Sequence, residues 1–203
     1  MGCMFERQAK LNVLKTPPIL ALSALLLLGT TGCYRLGDRT KDVINSISVQ
    51  NLSNGGKRLA NEESNVELTL PQGWVDVQNL RPDADLYAAR EDRTMYVMVL
   101  ADPRVSEVGS FVLSDNATQY LSFLDRGLTQ EQAEVPTSMT SLNGMKALQY
   151  EVKGQVDNVP VVYLHTTVEG STNYYQVVAW TTADNYSAAK GELQTVIQSF
   201  RGT

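Results

Sequence analysis

Residues 134–182, EVPTSMTSLNGMKALQYEVKGQVDNVPVVYLHTTVEGSTNYYQVVAWTT, decide the fold. Four strand-like runs alternate with turn signals, roughly Glu134–Leu142, Met145–Lys153, Pro160–Val168 and Asn173–Thr182. The last two runs are rich in β-branched and aromatic side chains, which suit a pleated, half-buried surface. Asn143-Gly144 separates the first two, and a two-residue type I′ hairpin needs positive φ at both of its central positions. Gly154–Asn158 and Glu169–Thr172 supply the other turns. Parallel neighbours need a crossover of a dozen residues, so connections this short force an antiparallel meander.

Helical patterns flank the meander. Upstream, Ala117, Tyr120, Leu121, Leu124 and Leu128 form one stripe behind a cap at Ser114 or Asp115. Downstream, Ala189, Leu193, Val196, Ile197 and Phe200 stripe a helix from about Asp184 to Phe200, with Gly202 as the stop. Further upstream, Val66-Glu67-Leu68-Thr69-Leu70 alternates like a strand, and Pro71-Gln72-Gly73-Trp74 reads as a turn delivering an aromatic. Asp83 to Arg90 and Thr94 to Ala101 read as a hairpin around Glu91-Asp92-Arg93. TMYVMVLA is apolar on both parities and is expected to be covered on both faces. Strands, helix, meander, helix is the order of an α+β domain, with helices packed on a mainly antiparallel sheet over residues 64–203.

The N-terminus has a different character. Met1 to Lys15 carries Arg7, Lys10 and Lys15, with Met4 an alternative start. ILALSALLLL, residues 19–28, spans about 15 Å as a helix, half a hydrocarbon core, which suits an export signal better than a membrane span. Thr31-Gly32-Cys33 resembles the lipobox of bacterial lipoproteins, with Thr30 standing where Leu is usual. The resemblance implies cleavage after residue 32 and a diacylglyceryl group, with further acyl chains such as palmitate, on Cys33. Removing 1–32 removes Cys3, so the mature chain has one cysteine and no internal disulfide. Residues 33–63 are polar, rich in Asn, Ser and Gly near Asn51–Gly56, and are expected to be a flexible tether. Gly55-Gly56-Lys57 lacks the spacing of a phosphate loop.

The formal net charge of -5 is unevenly distributed. Residues 33–60 hold Arg35, Arg39, Lys41, Lys57 and Arg58 against Asp38 and Asp42. Residues 61–203 hold 9 basic and 19 acidic side chains, a net of -10. An acidic body argues against sequence-independent binding of nucleic acid, which needs clustered Lys and Arg. Beside an anchor, the basic stretch faces anionic headgroups.

His165, the single histidine, lies mid-strand and reads as a hydrogen-bonded structural residue; its catalytic alternative needs a nucleophile and an orienting acid from elsewhere in the fold. One His and one mature Cys cannot form a structural zinc site. Glu62-Glu63, Asp83/Asp85 and Glu91-Asp92 are surface acids, and Asp83 and Asp85 share one face of the expected strand, where a hard cation would fit weakly. Trp74, Trp180 and Tyr174-Tyr175 either seal a sheet–helix core or line a ligand groove.

Val66–Trp74 resembles the "strand, Pro, x, Gly, Trp" opening of the PsbP-like superfamily. Leu142-Asn143-Gly144-Met145-Lys146-Ala147, and Tyr175–Ala179 followed by a helix closing on Val196-Ile197-Gln198-Ser199-Phe200, extend the resemblance over roughly residues 64–201. The superfamily includes photosystem II extrinsic proteins, their cyanobacterial lipoprotein relatives, DcrB-type lipoproteins and a eukaryotic regulator that binds the GTPase Ran. The resemblance implies an α/β/α sandwich, usually non-enzymatic, that assists larger assemblies; it carries over no catalytic residue and no cofactor. The long tether and few insertions incline it to the DcrB-type group. The expectation is an envelope lipoprotein held in the cell membrane through Cys33, facing the periplasm and assisting a membrane assembly through a protein partner. Tyr34, where Asp would mark inner-membrane retention, favours the outer membrane in a host that has one. The alternatives are a carrier of a small apolar ligand, a photosystem II-associated lipoprotein and an envelope hydrolase using His165.

Overall fold

The computed structural model describes residues 47–104, 112–130 and 132–203. The meander is present with its register. Strands β9 (Met145–Val156), β10 (Val159–Glu169) and β11 (Asn173–Thr182) pair antiparallel. Asn143 and Gly144 have φ of 51° and 85°, as a type I′ turn requires. Asp157 and Asn158, at 50° and 67°, make the β9–β10 turn in the same way. The expected run 134–142 is instead two short pieces, β7 (Val135–Pro136) and β8 (Ser141–Leu142), both on β9. Pro136 lacks a ladder donor and ends β7 at the sheet edge.

The other side of the sheet adds β4 (Trp74–Asp76), β5 (Leu86–Arg90) and β6 (Met95–Pro103), in the order β4-β5-β6-β11-β10-β9-β7. Asp83 and Asp85 precede β5 and do not share a strand face, which corrects the expected start at Asp83. Asp85 uses its carboxylate to accept the Ala101 N–H at 2.6 Å, which turns the chain into β5.

Both faces of the sheet are covered, so the central strands are buried on both parities. On one face, α1 (Leu113–Gly127) buries Ala117, and packs Tyr120, Leu121 and Leu124 in one core with Val152, Tyr163 and Val178. Each leucine contributes at most about 2 kcal/mol by leaving water. Asp115 is not the cap itself. It sits in the first turn, where its carboxylate accepts the Val112 N–H at 3.0 Å and faces the positive helix end. On the other face, α2 (Ala183–Gln198) buries Ala189, Leu193, Val196 and Ile197, and Phe200 closes the core behind it.

Beside α2 lies a second sheet, β1 (Ile47–Asn51), β2 (Lys57–Asn61) and β3 (Val66–Leu70), in that order and antiparallel. Residues 47–63 were expected to be flexible tether, and here the structure differs. Leu59, Leu68 and Leu70 are fully buried in the α2-side core. Leu52–Gly56 is the hairpin turn: Gly55 N–H bonds Leu52 C=O and Leu52 N–H bonds Gly56 C=O, with Gly55 at φ 80°. The Gly and Asn content that suggested a spacer serves this turn. The architecture is helix, sheet, then helix plus small sheet, the α+β sandwich expected from the sequence.

Candidate functional site

His165 is completely buried beneath α1. Its Nε2 lies 2.8 Å from Gln176 Oε1, an oxygen that also accepts the Thr167 hydroxyl at 2.8 Å. The Gln176 amide donates to Asn116 Oδ1 of α1 at 2.6 Å. Because Gln176 offers oxygen, His165 carries its proton on Nε2. Nδ1 has no hydrogen-bond partner among the described residues. Burial drives the histidine pKa down to about 4, against the bond to Gln176, so the ring is neutral at pH 7. Tyr120 of α1 stacks beside it at 6.3 Å. An amide, rather than a carboxylate, orients the ring, and the site is closed to solvent, which a hydrolase base cannot be. His165 braces β10 and β11 to α1, as the structural reading holds.

Sequence reasoning missed Glu151, on the opposite face. Its carboxylate accepts the Tyr186 hydroxyl and the Lys190 ammonium of α2, the latter at 3.2 Å, and Lys153 at 3.0 Å. Burial raises the Glu151 pKa, but the three donors outweigh it and hold the carboxyl at about 2. Tyr186 is raised by its own burial and by that carboxylate. Nearby, Gln149 donates to Thr166 Oγ1 at 2.9 Å and accepts from Gln194 of α2 at 2.8 Å. An open groove of about 440 Å³ lies beside this cluster, at the β9–β10 turn end. Gln130, Gln132, Gln155, Lys153, Tyr186 and Ser187 are among its lining residues.

The aromatics do not form one ligand groove. Trp74 is buried in the α2-side core, and its indole N–H donates to Glu192 at 2.7 Å, a carboxylate that also pairs with Arg90. Tyr175 joins the same core, where its hydroxyl donates to the Thr203 carbonyl at 2.7 Å. Tyr174 sits under Arg104 at 5.1 Å. Trp180 lies on the α1 side, stacked with Tyr96 at 5.2 Å and Tyr87 at 5.9 Å. Burial and the neighbouring Tyr96 push the Tyr87 hydroxyl up to about 12.

The acidic pairs are also dispersed. Asp83 pairs with Arg81, Asp85 holds Ala101, and Asp92 accepts the Thr94 hydroxyl at 2.6 Å. No cluster of three His, Cys, Asp or Glu able to hold a metal occurs among the described residues. No described helix is long and apolar enough to cross a membrane. Cys33 and the rest of residues 1–46 lie outside the described residues.

No family model and no curated protein matches the chain. Among solved structures, it is similar to cyanobacterial PsbP (CyanoP) from Synechocystis sp. PCC 6803, with a TM-score of 0.51 and 16% identity over 85% of this chain and 98% of that one. It is also similar to the Ran-binding protein Mog1p of Saccharomyces cerevisiae (TM-score 0.49, 14% identity, 74% and 96% covered). A third is LpqN, involved in cell envelope biogenesis of Mycobacterium tuberculosis (TM-score 0.43, 14% identity, 84% and 98% covered). The CyanoP likeness establishes a PsbP-like α+β fold.

Proposed function

We propose that this chain is a membrane-anchored envelope lipoprotein whose domain is a non-enzymatic accessory or scaffold module for a membrane assembly. One observation carries the accessory reading: the histidine and the carboxylate of the described sheet that burial and hydrogen bonding move far from their ordinary values, His165 and Glu151, are structural ties. His165 fastens the sheet to α1 through Gln176 and Asn116, and Glu151 fastens it to α2 through Tyr186 and Lys190. Shifted groups often mark active sites, yet here both serve as braces. The anchor rests on the sequence, in the apolar run 19–28 and Thr31-Gly32-Cys33. A fold shared with CyanoP is compatible with this reading, although fold alone does not fix function.

Fractionation tests the anchor. Wild-type protein is expected in membranes, resistant to high salt and released by detergent, with a mature N-terminus at Cys33. Cys33→Ser is expected as uncleaved precursor or as soluble exported protein. Release of the wild type by salt alone would overturn the anchor, because salt screens charge but does not extract acyl chains. Affinity capture from detergent-solubilised membranes tests the scaffold role, and repeated recovery without any stoichiometric partner counts against it.

A further inference from the structure

The sheet edges of this domain end in different ways. The outermost strands of the large sheet are blunted: β4 has three residues and ends on Asp76, and β7 has two and ends on Pro136. Short strands, charge and proline are how proteins keep sheet edges from pairing. The edge at β1 has none of these. It is five residues long, ISVQN, without a charge or a proline.

Its polarity follows from the hairpin. Leu52 N–H bonds Gly56 C=O, so Leu52 faces its β2 partner, as do Gln50 and Ser48 at every second position. Ile47, Val49 and Asn51 therefore turn their N–H and C=O outward. Among the described residues no strand pairs with them. Val49 also lies on the same sheet face as Leu59 and Leu68, which are fully buried, yet it is itself 47% exposed. The small sheet overhangs its core at β1.

We propose that β1 is an interface for a second copy of this chain, paired antiparallel about a two-fold axis through Val49. In that register Val49 faces Val49 of the other copy, and Ile47 faces Asn51. All three are outward-turned positions, so the pairing satisfies about six backbone groups on each side without shifting either strand. The two small sheets become one of six strands, and the exposed valines cover each other. β1 itself brings no charge to the seam, and the two cations of the neighbouring strand are engaged within the chain. Arg58 is paired with Glu67, and Lys57 donates to the Trp74 carbonyl at 3.0 Å. Strand pairing alone buries less than the roughly 1,200 Å² of a stable interface, so the dimer is reversible and depends on concentration. Pairing does not require the lipid anchor, although two chains held in one bilayer would meet more often.

Disulfide trapping in the full chain tests this directly. Residues opposite each other in such a pair have Cα atoms about 5.5 Å apart, within disulfide range. Under mild oxidation, Val49→Cys is expected to form a covalent dimer about ten times faster than Val159→Cys, a comparably exposed valine at the start of β10. Wild-type chain reports any Cys33 disulfide, so a failed anchor appears there and not as a failed interface. Sedimentation of purified protein over a concentration series is expected to rise toward two copies. Val49→Lys is expected to stay at one copy with an unchanged circular dichroism spectrum. Equal trapping at positions 49 and 159, a wild type that remains monomeric to its solubility limit, or Val49→Cys captured by a different protein would each overturn the proposal.

Discussion

His165 sets a pH limit on this fold. An unfolded histidine takes its proton near pH 6.5, whereas the buried ring resists until about 4. Between these values the unfolded chain binds more protons, so stability is full above pH 6.5 and falls as the pH drops toward 4. The loss amounts to about 3 kcal/mol. Urea unfolding at pH 7, 5.5 and 4 checks this, and in His165→Gln the slope over that window is expected to flatten. Glu151 acts lower. Its folded carboxyl is held at about 2, so its contribution is present above pH 4.5 and is lost only as the pH falls from there toward 2. Glu151→Gln is expected to remove that second phase and leave the first. The structural role of His165 was legible from its mid-strand setting, but its partner was not. Gln176 reaches it diagonally across the β10–β11 register, where His165 stands opposite Val178. Glu151 was hidden because a lone acid on a strand reads as surface until the α2 donors are brought over it.

At the scale of elements, two glycines give opposite expectations. A Cβ on Gly56 would lie 2.5 Å from the Leu70 carbonyl oxygen, where β2 begins against the end of β3. Gly56→Ala is therefore expected to destabilise by 1–3 kcal/mol, on the order of a strained or overpacked site, with amide exchange rising first in β1 and β2. A Cβ on Gly191, inside α2, meets nothing within 4 Å. Gly191→Ala is expected to stabilise by about 1 kcal/mol, read from the urea midpoint, because it restores helix propensity without a clash. The elements easiest to read were those whose turns carry their own chemistry. Asn173–Thr182 appears at the expected bounds, and Asn143-Gly144 turns as its residue types demand. The β1–β2 hairpin carried the same signal in Asn54-Gly55, flanked by Ile47 and Val49 on one side and Leu59 on the other. Polar composition outweighed it, because only Leu59 of the β2 run is strongly apolar, and its burial depends on a core assembled from β3 and α2 far along the chain.

For the whole molecule, the order of layers was legible, while the small sheet that completes the α2 side was not. The small sheet changes what an anchor at Cys33 would mean. A spacer to Ser64 would have spanned at most about 110 Å, whereas the described fold begins at Ile47, 14 residues after Cys33, a span of at most about 50 Å. Energy transfer from a dye on a Ser48→Cys variant to acceptor lipids is expected to be strong in the membrane fraction, and lengthening the chain before Ile47 with Gly-Ser repeats is expected to weaken it. An anchor at Cys33 would therefore hold the domain on a shorter tether than composition suggested. Halving such a tether would shrink the volume that an anchored domain can sample by roughly threefold to tenfold, depending on chain stiffness, and would concentrate it against whatever lies near the bilayer surface. A target standing well clear of that surface would have to come to the domain.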